Sequence, residues 1–264
     1  MKKKYLILLS LFMYFISGIL LSYYAYFQLS KEIIMTPLGR VVILVLSCIF
    51  MYIGAIMLSK CLDKHRQIPL KVNIIIWFLL YLLLLSTLTL FDDYFNRGLK
   101  IISWNKEMIK NYLNTSFNIK PFATIYMYVS KYLSGYFSTK IFLYNIVGNI
   151  IALMPFSFFL PLIFKKQNKF KVFLITMVIV VLLIEGLQFI TLSGSCDIDD
   201  VILNVLGACI LYVILSIKSI NSFIRNIFLF ENNEINYMHL IINIIILIII
   251  FILFGMLLNS LINI

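Results

Sequence analysis

The stretch that decides the fold is residues 185–207, EGLQFITLSGSCDIDDVILNVLG, which joins two long apolar segments. Glu185 lies inside the first segment, and Asp197, Asp199 and Asp200 follow it in a short connection. A carboxylate within a membrane span costs roughly 2.5 kcal/mol or more, and such a residue points to a functional site. The stretch therefore predicts two membrane-spanning helices with a polar site near the connection between them.

The amino-acid composition is that of an integral membrane protein. Of the 264 residues, 62% are hydrophobic and 12% are charged, whereas soluble domains have about 45–50% and about 25%. The net charge of +11 is explained by basic residues that set topology and contact anionic lipid. We therefore expect membrane lipid, and no nucleic acid, as a partner.

Hydrophobic runs predict an all-α polytopic bundle of about seven transmembrane helices. Each run is close to the ~20 residues that a bilayer requires. The runs are 5–27, 41–59, 74–91, 141–164, 172–190, 201–217 and 240–262. Pro155 and Pro161 predict a kink in the fourth run, because a proline removes a helical hydrogen bond. We expect two N-terminal spans in 1–72, a core in 73–220 and a C-terminal span in 221–264.

The distribution of lysine and arginine predicts the orientation in a bacterial cell membrane. When the N-terminus is cytoplasmic, the basic segments 60–71, 165–171 and 218–225 all lie inside, as the positive-inside rule requires. Segments 92–140 and 191–199 then lie outside, and so does the C-terminus.

The long connection 92–140 predicts helices in the outer membrane interface. Apolar residues recur at helical spacing in 101–113 and again in 122–136, and Pro121 suits the first position of the second helix. The tyrosines of the second stripe have two interpretations. They form an aromatic belt at headgroup depth, or they form a stacking surface for a sugar or lipid headgroup, with Pro121 and Phe122 as binding residues.

Three of the predicted spans carry polar stripes near their outer ends, because residues three or four apart share a helix face. The stripes are Asn145, Asn149 and Ala152 on the fourth span, Glu185 and Gln188 on the fifth, and Asp200, Asn204 and Gly207 on the sixth. We expect one outward-facing cluster, covered by the 92–140 connection.

The cluster offers carboxylate chemistry in two forms. Glu185, with Asp197 and Asp200, would act as a catalytic acid or base, because a low-dielectric site raises the pKa of a carboxyl group. Alternatively, these carboxylates would hold a divalent cation, which prefers oxygen ligands. His65 and His239 lie near the cytoplasmic side, so a Ser-His or Cys-His mechanism is not supported.

The polar residues also have structural interpretations. Asp199 or Asp200 would cap the sixth helix, since an acid there meets free N–H groups. Asn149 and Asn204 would join helices by hydrogen bonds. Glu185 is the hardest to explain in this way, because helix association does not require an ionisable group.

A set of motifs occurs in a characteristic order along the chain. They are the apolar span 81–90, NIKPFATI at 118–125, NIVGN at 145–149 with Pro155-Phe156, EGLQ at 185–188 and DIDDVILNVLG at 197–207. By these motifs, residues 81–212 resemble the VanZ-like family of bacterial membrane proteins. Many members carry an arginine where this chain has Ser193-Gly194-Ser195, so a loop arginine that grips an anion is not expected here.

The resemblance implies association with resistance to glycopeptide and lipoglycopeptide antibiotics, teicoplanin above all. It implies a lipid-linked cell-wall precursor or the antibiotic as ligand, but no agreed mechanism. We expect a resistance protein that acts through the carboxylate site on a lipid-linked envelope ligand. Whether it is an enzyme stays open at this point, beside a binding or scaffold protein. A transporter is the third alternative. It is less favoured, because it would need a polar path through helices whose inner halves are apolar.

Overall fold

The computed structural model describes residues 2–29, 36–62, 65–90, 106–191 and 195–229, which are mostly helical. This confirms the all-α fold. Within this part of the chain, six helices are long and apolar enough to cross a membrane. They are Lys3–Gln28, Gly39–Cys61, Gln67–Thr89, Thr139–Ile163, Phe170–Thr191 and Ile198–Ser216. The predicted seventh span at 240–262 lies outside the described residues.

Contacts divide the described chain into two compact units. One contains the residues up to Leu84 and those from Asn221 onward, and the other runs from Leu85 to Ile220. The helices of the first unit are α1 (Lys2–Leu29), α2 (Pro37–Cys61), most of α3 (Gln67–Leu90) and most of α11 (Lys218–Leu229). The division into 1–72, 73–220 and 221–264 stays a prediction.

In the first unit, α1 and α2 approach closely through small and hydroxyl-bearing residues. The Ser10 hydroxyl donates a hydrogen bond to the carbonyl of Gly54 at 2.8 Å, and the hydroxyls of Ser17 and Ser47 lie 2.7 Å apart. A Cβ atom on Gly54 would lie 3.2 Å from the Ser10 carbonyl oxygen. Small residues let helix backbones approach in this way.

Helix α11 was not predicted, because the basic segment 218–225 was interpreted as a loop. Its C-terminal end is buried, and the Tyr52 hydroxyl donates a hydrogen bond to the Ile227 carbonyl at 2.8 Å. The ring of Phe228 lies 5.8 Å from that of Trp77. The burial of an apolar end therefore stabilises a helix that charge alone did not reveal.

The second unit begins with the helices predicted in the 92–140 connection, which are α4 (Lys106–Thr115) and α5 (Ala123–Leu133). Of the helix predicted over 101–113, residues 101–105 lie outside the described part. The assignment of Pro121 as a first helical residue was wrong. Phe122, with a left-handed φ of 64°, precedes α5 directly, so the helix starts at Ala123.

The fourth span is irregular. It consists of α6 (Thr139–Phe142), a π-helical segment (Leu143–Val147), α7 (Gly148–Ala152) and α8 (Pro155–Ile163). The interruption between α7 and α8 lies just before Pro155, close to where the proline predicted a kink. The π-helical segment carries Asn145, and such segments occur frequently at functional sites.

The remaining elements complete the second unit. A short 3-10 helix (Lys165–Asn168) leads into α9 (Phe170–Thr191), and β2 (Cys196–Asp197) leads into α10 (Ile198–Ser216). A Cβ atom on Gly207 would overlap the backbone of Ile150, so α10 and α7 are in very close contact.

A two-stranded parallel sheet ties the two connections of this unit together. Strand β1 (Phe117–Asn118) pairs with β2 so that Phe117 lies opposite Cys196 and Asn118 opposite Asp197. The amide of Cys196 also donates to the Ser116 carbonyl at 2.8 Å. The segment before α5 is thereby fixed beside the start of α10.

Candidate functional site

The polar stripes of three helices meet in one cavity of about 130 Å³. The α9 side chains Glu185 and Gln188 are only 6% and 8% exposed. The predicted site residues that line the cavity are Asn145, Asn149, Glu185, Gln188, Asp200 and Asn204. The structure therefore brings these six together, as the shared helix faces predicted.

Hydrogen bonds connect the helices around the cavity. The amide side chain of Asn149 on α7 donates to Asp200 Oδ1 on α10. Glu185 Oε2 accepts from the backbone amide of Asp197 at 3.3 Å. The side chains of Asn145 and Asn204 instead donate to carbonyls four residues earlier in their own helices. The side chain of Asn149 therefore links two helices, whereas the hydrogen bond of the Asn204 side chain stays within α10.

Asp199 does not cap the sixth span, which corrects one structural interpretation. Its side chain is fully buried, and Oδ1 accepts from the Phe122 amide at 2.5 Å. Oδ2 accepts from the amides of Thr124 and Ile125 at 2.7 and 3.0 Å. The carboxylate therefore caps α5, where free N–H groups and the positive end of the helix dipole favour an anion.

Asp197 is the residue that caps α10, and the catalytic role expected for it stays a prediction. Its Oδ1 accepts from the amide of Asp199 at 2.9 Å and from the Asn118 side chain at 3.0 Å. The Asn118 amide nitrogen also lies 2.9 Å from Thr124 Oγ1. Asp197 thus holds the start of α10 against the segment that leads into α5. The cap of α10 was predicted at the wrong residue, because neither Asp199 nor Asp200 occupies the N-cap position.

Pro121 and Phe122 do not line the cavity. The backbone amide of Phe122 is bound by Asp199, while its side chain is 62% exposed. The two residues therefore lie on the exposed surface just before α5. The binding role predicted for them stays a prediction.

Two tyrosines of the 92–140 connection, Tyr112 and Tyr128, are buried or half-buried. Tyr112 on α4 is 8% exposed, and its ring packs against Phe189 at 5.3 Å. Burial, with Cys196 and Glu185 nearby, raises the pKa of Tyr112 to about 12. Burial, with Asp200 and Asp197 nearby, raises the pKa of Tyr128 on α5. Both phenols are therefore neutral hydrogen-bonding groups at physiological pH.

Sequence reasoning missed these tyrosines because it counted Tyr112 in the apolar face of 101–113 and did not consider Tyr128, which lies off the stripe of 122–136. Their spacing carries no signal for a polar site. Thr89, Tyr144 and Ser195 also line the cavity and were not predicted, since hydroxyl residues are common in membrane helices.

The described residues do not fit a cation shared by the acidic connection. Within the ranges that the structure describes, no group of three or more His, Cys, Asp or Glu residues is placed to hold a metal ion. Both oxygens of Asp199 face backbone N–H groups. The divalent-cation hypothesis thus receives no support from this geometry.

The comparison with protein families decides the assignment. The family model described as VanZ/LLP1 matches residues 78–219, more than half of the chain. The chain belongs to the VanZ/LLP1 family. No curated protein and no solved structure matches the chain.

The VanZ/LLP1 region contains the whole polar cavity. It includes all residues that line the cavity, both β-strands, and the caps at Asp197 and Asp199. Helices α1 and α2 lie outside the matched region. The family assignment and the polar geometry therefore concern the same part of a multi-pass membrane protein.

Proposed function

We propose that this VanZ/LLP1 protein contributes to teicoplanin and lipoglycopeptide resistance by binding the polar part of a lipid-linked cell-envelope ligand. One observation carries the proposal: carboxylates and amides from α7, α9 and α10 converge in one cavity inside the family region. Side chains of this kind are both donors and acceptors. A hydroxyl- or amide-rich headgroup can be recognised in such a cavity.

Two carboxylates, Glu185 and Asp200, line the cavity, whereas Asp197 and Asp199 hold backbone amides. The proposal therefore assigns ligand contact to Glu185 and Asp200, with Gln188, Asn149 and Asn204 as further hydrogen-bonding groups. Asp197 and Asp199 act as positioning residues that shape the wall of the cavity.

An enzyme and a binding protein make different demands on Glu185. A catalytic acid or base needs a titratable carboxyl group. A binding residue needs only an oxygen atom in the right place, which a glutamine also offers. The variants Glu185→Gln and Glu185→Ala separate these two roles.

Transport is disfavoured by the buried face of α9. Below Glu185, this face carries Phe173, Met177 and Val181, each at most 1% exposed. The Phe173 ring stacks against Tyr212 of α10 at 4.3 Å. Transport would require a polar path, but this part of the helix group is closely packed and apolar.

The decisive variant is Glu185→Gln, with Glu107→Gln as its matched control. Glu107 lies on the exposed surface of α4, so the same chemical change is made away from the cavity. The measurement is the teicoplanin concentration that inhibits growth of cells producing each variant at equal membrane levels. If the carboxylate is chemically required, Glu185→Gln abolishes the protection that the unchanged chain gives, and Glu107→Gln retains it.

Two outcomes would change the proposal. Full protection by Glu185→Gln, with less protein for Glu185→Ala, would make the carboxylate structural and leave a binding protein as the function. No protection by the unchanged chain would remove the resistance role itself. A comparison of lipids and cell-wall precursors in cells with and without the protein would then identify the affected envelope component.

We further propose that the cavity opens to the outside of the cell, as the basic-residue distribution predicts. A thiol reagent that does not cross membranes should label Cys196 and a cysteine placed at Lys106, but not one placed at Lys166. Lys106 and Lys166 are both exposed, so burial does not explain a difference between them. The reverse labelling pattern would invert the orientation.

A further inference from the structure

Helix α5 is held at both ends by the first turns of two membrane spans. At its start, the amides of Phe122 and Thr124 donate to Asp199 in the first turn of α10. Near its end, the Tyr132 ring stacks against Phe142 of α6, with ring centres 4.7 Å apart. Helices α10 and α6 begin the sixth and the fourth candidate spans.

These two anchors fix how α5 lies. Successive spans cross the membrane in opposite directions, so the fourth and sixth spans begin at the same membrane boundary. The 11 residues of α5 extend over about 16 Å at 1.5 Å per residue. The helix therefore runs along this boundary and neither crosses the bilayer nor projects far from it.

The two sides of α5 have different surroundings. On one side, Tyr128 is half-buried, and its ring lies 5.4 Å from that of Phe137. On the other side lies a row of large apolar side chains, which we name the α5 apolar stripe. The stripe consists of Tyr126, Val129 and Leu133, which are 75%, 36% and 78% exposed and lie three and four residues apart on α5.

We infer that the α5 apolar stripe is inserted into membrane lipid at the boundary where the fourth and sixth spans begin. The stripe lies between the first turns of two candidate membrane spans, so the surface beside it is the bilayer. A helix with an apolar face can bury that face about 5–10 Å into the boundary between headgroups and acyl chains. Tyrosine hydroxyls suit the headgroup depth.

The lipid contact does not depend on the ligand proposed for the cavity, because no residue of α5 lines that cavity.

Spin labels on the full-length chain in phosphatidylcholine–phosphatidylglycerol vesicles test the inference. The four native cysteines are replaced by serine, and single cysteines are placed at Tyr126, Leu133 or Lys131. Lys131 is exposed on the same helix, about half a turn away from the stripe, and is the control. Oxygen, which concentrates in lipid, should collide more often with the labels at 126 and 133. A water-soluble nickel complex should collide less often with them than with the label at 131.

Water and a second copy of the chain, the two alternatives to lipid, would each give a different result. If the nickel complex reaches 126 and 133 as readily as 131, the stripe faces water and the inference is wrong. If the label at 126 shows spin–spin broadening that disappears on dilution with unlabelled chain, a second copy covers the stripe, and the lipid assignment is also wrong. Tyr126→Trp, in a chain with Trp77→Phe and Trp104→Phe, gives an independent measurement. Its fluorescence should be quenched by brominated lipids.

Discussion

The α1–α2 pair and the α7–α9–α10 group both bury polar atoms between helices that are long enough to cross a membrane, but they use them differently. Between α1 and α2, the hydroxyls of Ser17 and Ser47 bind each other, and Ser10 binds a carbonyl. In the second group, Glu185 and Gln188 border a cavity of about 130 Å³. Short hydroxyls thus join helices directly, whereas long carboxylates and amides surround space for a molecule.

Burial and polarity alone therefore do not identify a functional site within the membrane. Both regions contain buried polar residues at close helix contacts. The second region differs because two ionisable side chains, Glu185 and Asp200, border a cavity.

The largest effect is expected at the glycine contacts. A Cβ atom on Gly207 would overlap backbone atoms of Ile150, whereas one on Gly54 would lie 3.2 Å from its neighbours. Gly207→Ala should therefore cost about 3 kcal/mol in the free energy of unfolding, and Gly54→Ala about 1 kcal/mol. Gly18→Ala, with nothing within 4 Å, is the control. Equal losses for Gly54 and Gly207, measured by denaturant unfolding in detergent, would contradict the difference in packing.

The next effect concerns the two aspartate caps. Asp199 accepts three backbone amides with both oxygens, so Asp199→Asn places an NH₂ group against a donor. This should cost about 2 kcal/mol, as expected for a buried donor left without its acceptor. Asp197→Asn should cost less than about 1 kcal/mol, since Asn caps a helix about as well as Asp. Faster hydrogen exchange at residues 122–125 in Asp199→Asn alone would verify the assignment; equal exchange in both variants would argue against it.

A smaller effect is expected for the serine pair. Hydrogen bonds between membrane helices average about 0.6 kcal/mol, with a maximum near 1.7 kcal/mol. A double-mutant cycle with Ser17→Ala and Ser47→Ala should give a coupling energy in this range. Growth inhibition by teicoplanin should not change in either variant. A loss of protection at unchanged protein level would show that the α1–α2 contact is also functional.

The smallest effect is a change in the titration of Tyr112. Burial is the main cause of its raised pKa, with Cys196 next and Glu185 a lesser contributor. Glu185→Gln removes a negative charge that opposes ionisation, so the pKa should fall from about 12 but stay above the ordinary 10. The Cζ chemical shift of labelled tyrosine, followed against pH, measures this. An unchanged pKa would mean that Glu185 does not face Tyr112.

A raised phenol pKa also has a consequence for stability at high pH. The unfolded chain loses the Tyr112 proton near pH 10, whereas the folded chain holds it until about pH 12. The stability linked to this group is therefore fully present below pH 10 and declines as the pH rises to 12. Tyr112→Phe should remove this part of the decline.

Local patterns predicted much of the fold. Uninterrupted apolar runs predict membrane helices, because every backbone N–H and C=O group surrounded by lipid must form a hydrogen bond within its own segment. The same logic of helix faces placed Glu185 beside Gln188 and Asp200 beside Asn204. The match between expected and observed cavity residues follows from the 3.6-residue period and not from knowledge of tertiary contacts.

Long-range contacts account for what was missed. Asp199 has the local pattern of a cap for α10, but its partners lie 74–77 positions earlier. The left-handed backbone conformation of Phe122 makes α5 start at Ala123 and not at Pro121. Neither follows from local preference, since both depend on how the two connections meet at β1 and β2.

Helix α11 was missed for a different reason, because its signal was available. Apolar residues recur at helical spacing despite the basic residues around them. They are Ile220, Phe223, Ile224, Ile227 and Phe228. The basic residues of this segment were used only to predict topology, so its amphipathic pattern was overlooked.

The cap of α5 also has a consequence for the order of synthesis. The Phe122 amide precedes its acceptor Asp199 by 77 residues, and ribosomes add about 5–20 residues per second. The start of α5 therefore waits roughly 4–15 s for the carboxylate that completes it. During this interval the nascent chain exposes unpaired amides to proteases and chaperones. A ribosome that stalls before codon 199 would leave a chain in which five candidate spans are made but the amides at the start of α5 never meet their carboxylate.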